Sequence, residues 1–182
     1  MIPKDRPRIE RKTTEQLLRL RKVSDPVCLV GIRGYYRDTM GAVGKNDVGL
    51  FDDAIILVSP NVHAAFNGNV DPTRLGWNAK AGKPMAQLRS GVYRYKIGLH
   101  GLRTKKPYKA LVQAGPVTVM RGDKEETGFF GINIHAAGNT TSSEGCQTVP
   151  KAGGQWDALI ALTESELKRN NAKTLSYVLV SN

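Results

Sequence analysis

The stretch "GFFGINIHAAGNTTSSEGCQTVP", residues 128–150, decides how the centre of this chain folds. It holds one of the three histidines and one of the two cysteines, separated by small and polar residues. The run 128–135 alternates in a way that is typical of a β-strand, whose successive side chains point to opposite faces. We therefore expect Ile132 and Ile134 on the core face, and His135 at the strand's end on the less apolar face.

The segment after His135 predicts a turn that brings the chain back beside the strand it left. Glycine and asparagine suit a turn at 138–139, and the serines and threonines that follow can bond their own backbone. "CQTV" then resumes as a neighbouring strand, and this hairpin-like arrangement brings Cys146 to hydrogen-bond distance of His135. A nearby imidazolium lowers the pKa of a thiol, and Gly145 lets backbone N–H groups form an oxyanion hole. The pattern indicates a cysteine nucleophile with a histidine base, which either a side chain or a carbonyl can orient.

The segment "IHAAGNTTSSEGCQTVP" resembles the active-site segment of the L,D-transpeptidase catalytic domain. That family carries a histidine, a variable loop, and Ser/Thr-x-Gly-Cys followed by a short strand. The upstream run "LRSGVYRYKIGLHG" is similar to the family's Gly-x-Tyr/Phe strand, so the resemblance spans residues 50–150, with its specific part at 130–150. It implies an α+β, mainly β fold of the L,D-transpeptidase type, built as a β-sandwich or sheet with a few helices.

The resemblance implies a role for each matching residue. Cys146 is the nucleophile that attacks a peptide bond of the peptidoglycan stem, and His135 is the base. The carbonyl of Ala136 orients the histidine, and Gly145 with Cys146 lies at the oxyanion-hole position. Ser143 takes the family's Ser/Thr place, where we expect it to contact the substrate. No metal and no cofactor are expected.

The match departs from the family pattern around the cysteine. The usual Ser-His-Gly-Cys is Ser-Glu-Gly-Cys here, and Gln147 follows where the family has an arginine that helps to bind the stem peptide. The ten residues between His135 and Cys146 also form a short loop for this family. Such divergence is similar to branches found in phages, prophages and interbacterial toxins. We therefore expect cutting or trimming of stem peptides, as an L,D-carboxypeptidase or endopeptidase, with L,D-transpeptidation as the alternative.

Several more residues are candidates for substrate binding. Glu144 can hold the ammonium group of diaminopimelate or face solvent, and Gln147 lies next to the nucleophile. His100 stands in a Gly-rich turn, "GLHGLR", and can line the cleft. Basic and aromatic side chains of the upstream strand can hold stem carboxylates or form a solvated face: Tyr93, Arg94, Tyr95, Lys96 and, beyond the strand, Arg103.

The chain is basic, and its positive charge is concentrated in one tract. Its 182 residues are 40% hydrophobic and 24% charged, which is ordinary for a globular domain, and its net charge is +11. From Arg74 to Gly122 there are eleven Lys and Arg and no acidic residue. Such a field attracts anionic partners or simply solvates the surface. We expect peptidoglycan stem peptides as partners, with the anionic bacterial envelope as a further one, and no nucleic acid.

Outside the central stretch, local patterns predict two helices and a mainly β domain. A capping-box signal at Thr13 predicts a short helix over about 14–23, within a basic extension, 1–24, that begins loosely ordered. Residues 25–182 are expected to form a single domain with several β-branched runs, a helix over about 155–169 and a last strand, "TLSYVLVS".

The N-terminus and the second cysteine bear on where the protein works. The first residues are charged and lack the apolar core of a secretory signal. We expect synthesis in the cytoplasm and action in the periplasm or cell wall after release or delivery. Two cysteines give no disulfide framework, and Cys28, in an apolar run, is expected to be buried.

Three other classes of protein fit parts of the sequence. A zinc site has His63, His100, His135 and Cys146 as possible ligands, but the sequence lacks HExxH and paired CxxC spacing. A wall-binding domain without catalysis needs no nucleophile. A nucleic-acid-binding module would combine the basic tract with four aromatic residues: Trp77, Tyr93, Tyr95 and Tyr108.

Overall fold

The fold is that of a computed structural model, which describes residues 1–102 and 104–182. The helices are α1 (Arg11–Leu20) and α2 (Gln155–Arg169), and a 3₁₀ turn at Ala152–Gly154 leads into the second. The strands, in chain order, are β1 (Cys28–Arg33), β2 (Asp53–Val58), β3 (His63–Gly68), β4 (Trp77–Asn78), β5 (Lys83–Pro84), β6 (Gln87–Leu88), β7 (Gly91–His100), β8 (Tyr108–Gln113), β9 (Val117–Arg121), β10 (Lys124–Gly128), β11 (Ile134–Ala137), β12 (Gln147–Pro150) and β13 (Leu175–Ser181). The described chain is thus mainly β with two helices, as the sequence predicts.

Eight strands form one mixed sheet that nearly closes into a barrel. Their order is β12-β11-β8-β7-β13-β1-β2-β3, with parallel pairs at β1/β13 and β11/β12 and antiparallel pairs elsewhere. The two edges meet just beyond β3, where Asn69 and Thr148 exchange two backbone hydrogen bonds of 2.8 Å. Two smaller sheets, β10-β9-β6 and β4-β5, complete the strand pairing.

The central strands are buried on both faces. On β2, Ile55 and Leu57 point into the interior, whereas Ile56 packs on the outer face with Leu18 of α1. Burial on both sides explains the unbroken apolar run "AIILV", because neither face has to be polar. The interior also holds two fully buried tyrosines: Tyr95 and Tyr177, whose rings pack edge to face with centroids 5.6 Å apart.

The N-terminal segment lies against the sheet instead of being loosely ordered. The backbone N–H of Arg8 donates to the hydroxyl of Tyr35 at 2.9 Å, and the hydroxyl of Tyr36 donates to the carbonyl of Asp5 at 3.1 Å. The helix α1 spans Arg11–Leu20, about three residues earlier than predicted; its N-cap is Glu10, and Thr13, the predicted cap, lies within the helix. Among the described residues, neither helix combines the length and the apolar character needed to cross a membrane.

The C-terminal elements are confirmed, but the central stretch folds differently from the prediction. The predicted helix 155–169 is α2, and the predicted last strand is β13. Within 128–135, however, the strand begins only at Ile134. The side-chain carbonyl of Gln113 accepts hydrogen bonds from the N–H groups of Phe130 and Ile132 at 3.0 and 2.8 Å. The backbone of this segment is therefore hydrogen-bonded to a side chain instead of to a neighbouring strand.

The pairing after His135 is also different. The strands β11 and β12 run parallel, with Ile134 beside Gln147 and His135 beside Thr148, so the expected hairpin-like return is wrong. The loop 138–146 instead crosses over and enters β12 from the same end. Cys146 therefore lies immediately before β12, next to Asn133, while Ile134 and Ala136 face the core and His135 points to the other side.

Candidate active site

Four elements bring the candidate residues to one end of the sheet. His100 ends β7 and pairs with Tyr108 at the start of β8, and His135 lies on the neighbouring strand β11. Cys146 comes from the crossover loop. One ring nitrogen of each histidine and the sulfur of Cys146 lie within 4.8 Å of one another. The two residues that the central stretch singles out, His135 and Cys146, are therefore neighbours in space.

His135 is held by the main chain in one tautomer. Its Nδ1 lies 2.8 Å from the carbonyl oxygen of Ala136 and 3.1 Å from the hydroxyl of Tyr108. Because a carbonyl only accepts, Nδ1 carries the proton and Nε2 is left to accept one. Burial, and to a smaller extent the neighbouring His100, lowers the pKa of His135, and the bond to Ala136 partly opposes them; the resulting pKa is about 4. The ring is therefore neutral at neutral pH.

Cys146 is a protonated thiol in the resting structure. Its Sγ donates to the carbonyl of Gly131 at 3.2 Å and accepts the backbone N–H of Asn133 at 3.3 Å. Burial raises the pKa of Cys146 to about 11; the Asn133 N–H opposes this, and the negative charge of Glu144 adds to it. The imidazolium–thiolate pair expected from the sequence is therefore not the resting state, because burial favours the neutral form of both groups.

The loop before Cys146 is held rigidly by Ser143 and Gly145. The Ser143 hydroxyl donates to the Cys146 carbonyl at 2.6 Å and accepts the Gly145 N–H at 3.0 Å. A Cβ on Gly145 would lie 2.7 Å from the backbone oxygen of Ala86, so only glycine fits there. Since its N–H is already bonded, Gly145 shapes the loop and is not the oxyanion donor that we expected. In the described chain no acceptor is bonded to the N–H of Cys146, which leaves that donor for an oxyanion.

A cleft of about 410 Å³ opens beside the sulfur of Cys146. Charged side chains from three places in the chain line it: Lys83, Arg121 and Glu144. The Arg121 side chain is only 10% exposed; its Nη1 donates to the Pro84 carbonyl at 2.8 Å, and its Nε lies 3.3 Å from Glu126. The cleft therefore offers positive charge and one carboxylate within a single recess next to the thiol.

Sequence reasoning missed the two cations of this cleft. Both lie in the acid-free tract 74–122, so the charge pattern did point to the region. It did not select them, because Lys83 and Arg121 reach the cleft from the two smaller sheets, whose position beside Cys146 is a tertiary feature. Glu144, which the sequence did single out, is exposed and lines the cleft.

Three residues predicted to bind substrate do not face the cleft. Gln147 is fully buried on β12, although neither its side-chain nitrogen nor its oxygen has a hydrogen-bond partner in the described chain. Tyr93 is buried, and its hydroxyl donates to the Arg89 carbonyl at 2.7 Å. The guanidinium of Arg94 points to the other face of β7 and bonds Asp25. Each of these three expectations is therefore corrected.

His100, at the end of the same strand and predicted to line the cleft, is likewise not among the residues that line it. Tyr95, two residues along from Tyr93 on the same face of β7, approaches the site: its hydroxyl donates at 2.7 Å to the carbonyl of Ile132, the residue before Asn133, whose N–H donates to the Cys146 sulfur. Arg103 lies outside the described residues. Ser143, predicted to contact substrate, is buried, and its hydroxyl is engaged twice, so a substrate contact would require breaking these bonds.

The histidine and cysteine cluster is poorly arranged for a metal ion. The rings of His100 and His135 are stacked, with centroids 4.1 Å apart and planes 13° from parallel. A lone pair of imidazole lies in the ring plane, and zinc binds at about 2.0–2.1 Å, so an ion shared by two stacked rings would lie far out of both planes. His63 is elsewhere, with its Nε2 3.1 Å from the Thr14 hydroxyl. The arrangement suits proton transfer better than coordination.

Comparison of the chain with models of known protein families, with curated proteins and with solved structures gives no match. A neutral histidine, oriented by a main-chain carbonyl, stands beside a thiol at the edge of a charged cleft. This arrangement can carry out nucleophilic acyl transfer without a metal.

Proposed function

We propose that this chain is an L,D-transpeptidase-like, cysteine-dependent enzyme that acts on the stem peptides of peptidoglycan by hydrolysis. The L,D-carboxypeptidase and endopeptidase reactions are the outcomes we expect, and transpeptidation uses the same intermediate. One observation carries the proposal: the Ala136 carbonyl holds Nδ1 of His135, which leaves Nε2 free to accept a proton, and a ring nitrogen of His135 lies within 4.8 Å of the Cys146 sulfur. The sequence resemblance assigns the same three residues.

The first half of the reaction begins with a proton transfer. The S–H of Cys146 leaves the Gly131 carbonyl and turns to Nε2 of His135, which takes the proton as the sulfur attacks the peptide carbonyl carbon. A C–S bond forms, and the N–H of Cys146 donates to the oxyanion. The C–N bond then breaks, and the His135 imidazolium gives its proton to the departing amine. Because both resting groups are neutral, His135 acts as a general base during attack.

Water completes the cycle. His135, neutral again, takes a proton from a water molecule that attacks the thioester carbonyl of Cys146. The C–S bond breaks, the peptide leaves with a new carboxyl group, and the sulfur regains its proton from His135. In transpeptidation an amine of a second stem peptide replaces that water.

The charges of the cleft support a substrate that carries both a carboxylate and an ammonium group. Lys83 and Arg121 suit a carboxylate, since a guanidinium offers donors in a planar fork. Glu144 suits an ammonium group. A diaminopimelate side chain ends in this pair of charges. Arg121 thus supplies a guanidinium in the cleft, whereas position 147, where the family has an arginine, holds glutamine.

The burial of two of the four aromatic residues in the basic tract argues against a nucleic-acid-binding function, although Trp77 and Tyr108 are exposed. Of the four aromatic residues in the basic tract, Tyr93 and Tyr95 are buried, so they cannot stack on bases. Arg94 and Lys109 are also paired with acidic side chains, Asp25 and Glu164. Since the proposed substrate is a component of bacterial walls, we propose that the protein acts there after release or delivery.

The test is incubation of purified sacculi and of tetrapeptide muropeptides with the protein, followed by mass spectrometry of the products. Wild type and Cys28→Ala, which alters a buried thiol of β1, should release the same products. Cys146→Ala and His135→Ala should release none, and EDTA should change nothing. Turnover by Cys146→Ala, or loss of activity in EDTA, would refute the thiol mechanism. Product masses separate the carboxypeptidase, endopeptidase and transpeptidase reactions.

A further inference from the structure

A second histidine lies against the base of the proposed reaction. The ring of His100 stacks on that of His135 at a centroid distance of 4.1 Å, 13° from parallel. His100 ends β7, so its backbone is fixed by pairing with Tyr108 of β8. Two neutral imidazoles stacked in this way restrict each other's rotation, since neither ring can turn without losing the shared face.

Asn133 also restrains the His100 ring, through a hydrogen bond. Its side-chain nitrogen donates to Nδ1 of His100 at 3.1 Å, and its side-chain oxygen accepts the backbone N–H of Gln113 at 3.4 Å. The second bond orients the amide, so the donor faces the histidine. His100 therefore carries its own proton on Nε2.

The same Asn133 also holds the nucleophile and the strand that follows it. Its backbone N–H donates to the Cys146 sulfur at 3.3 Å, and its carbonyl accepts the Gln147 N–H at 2.8 Å. One residue therefore contacts the thiol through its main chain and the second histidine through its side chain. No other residue in the described chain bonds to both the sulfur and a histidine of the cluster.

We propose that His100 and Asn133 form a positioning pair that holds the imidazole of His135 against the Cys146 thiol. The pair acts on the geometry of the base and contributes no proton to the reaction. This inference rests on the proposed function for its kinetic readout, although its structural readout needs no substrate. It replaces direct substrate binding as the role of His100.

The pair makes two contacts, the stacking of the rings and the bond to the Asn133 amide, and variants can remove the bond alone or both contacts together. His100→Phe keeps a flat ring for stacking but removes the acceptor for the Asn133 amide. Asn133→Leu keeps the volume of the side chain but removes the donor. His100→Ala removes both the stacking and the bond. His63→Phe, at a histidine that bonds Thr14 on α1, is the matched control.

Steady-state kinetics on a tetrapeptide muropeptide is the first measurement. We expect kcat to fall about tenfold in His100→Phe and in Asn133→Leu, and about a hundredfold in His100→Ala, because small displacements of a base are costly. KM should stay within twofold. The double variant His100→Phe/Asn133→Leu should be no slower than the slower single variant, since both changes break one bond. Three results would overturn the proposal: losses of kcat in the two single variants that multiply in the double variant, an unchanged kcat in His100→Ala, or a change in KM alone.

Nitrogen NMR of the imidazole rings is the second measurement, and it needs no turnover. In wild type we expect His135 protonated at Nδ1 and His100 at Nε2. In His100→Ala the pKa of His135 should rise from about 4 towards 6.5, since burial and the second ring both lower it in the wild type. The variant keeps the other titratable groups near His135, so these groups do not account for the shift in its pKa. They are Tyr108, Cys146 and Lys151, whose Nζ lies 6.0 Å from the Tyr108 ring centroid.

The two measurements separate this inference from the proposed function. If no stem peptide is turned over but the His135 titration moves in His100→Ala, the positioning pair stands and the proposed function fails. If wild type turns over stem peptides but neither the titration nor kcat responds to His100→Ala, the positioning pair fails alone. Thermal melts of each variant and of His63→Phe identify any loss of kcat that comes from unfolding.

Discussion

Replacing His135 with glutamine should remove part of the acid sensitivity of the fold. The pKa of His135 is about 4 in the folded protein, against an ordinary value of 6.5. As the pH falls, His135 therefore gains its proton at a higher pH in the unfolded chain than in the folded protein. The stability that comes from the neutral, buried ring is fully present above pH 6.5 and is lost as the pH falls towards 4. At about 1.4 kcal/mol per pH unit, the loss amounts to about 3 kcal/mol. His135→Gln keeps a donor for the Ala136 carbonyl but has no proton to gain.

The assay is urea unfolding at several pH values between 7 and 4, followed by the fluorescence of Trp156, which is buried. We expect the free energy of unfolding of the wild type to fall by about 3 kcal/mol more than that of His135→Gln over this range. The comparison cancels the titration of all other groups, Asp52 and His63 among them, because both proteins contain them. Equal pH dependence in the two proteins would refute the burial argument for a neutral His135.

Three further predictions test the thiol, the loop and the cleft. Alkylation of Cys146 by iodoacetamide should accelerate about tenfold per pH unit from pH 7 to 10, because its pKa is about 11; a plateau below pH 7 would show a preformed ion pair. Ser143→Ala should lower the free energy of unfolding by about 1–2 kcal/mol in urea titrations, because it leaves a buried N–H unpaired, whereas exposed Ser142→Ala should not. Arg121→Gln should raise KM for muropeptides about tenfold with little change in kcat, because it removes a cation from the cleft. Lys80→Gln, outside the cleft, should leave both KM and kcat unchanged. A fall in kcat alone would contradict a role of Arg121 in substrate binding.

Local patterns were sufficient where a segment's own residues decide its structure. The helix α2 follows from apolar residues at helical spacing, and β13 follows from a β-branched run. The pairing of His135 with Cys146 in space also followed from the sequence, but through the wrong geometry. A turn-rich loop indicates that two strands become neighbours, whereas the parallel direction of β11 and β12 depends on how the crossover packs.

Side-chain competition explains why the strand before His135 was predicted too long. The Gln113 side chain, from β8, takes the backbone donors of Phe130 and Ile132 that a ladder would use. No pattern within the segment reveals this partner. The alternation of burial nevertheless held before β11 as well as on it, because Ile132, Ile134 and Ala136 all belong to the core.

The substrate-binding residues were hardest to predict, because exposure is a tertiary property. Polar Gln147 looks like a surface residue but is fully buried, while Tyr93 and Tyr95 share one face and only Tyr95 reaches the site. Lys83 and Arg121 are indistinguishable in the sequence from the other cations of the basic tract. Their selection required the two small sheets to be placed beside Cys146.

The central claim is that Cys146 becomes acylated by a stem peptide. The most direct measurement is to mix the protein with a tetrapeptide muropeptide, quench with acid within the first turnovers, and map the modified peptide by mass spectrometry. We predict a stem-peptide acyl group on Cys146 in the wild type, and none in Cys146→Ala. Product release by wild type with the thiol of Cys146 unmodified at every quench time, and by Cys146→Ala at the same rate, would contradict it.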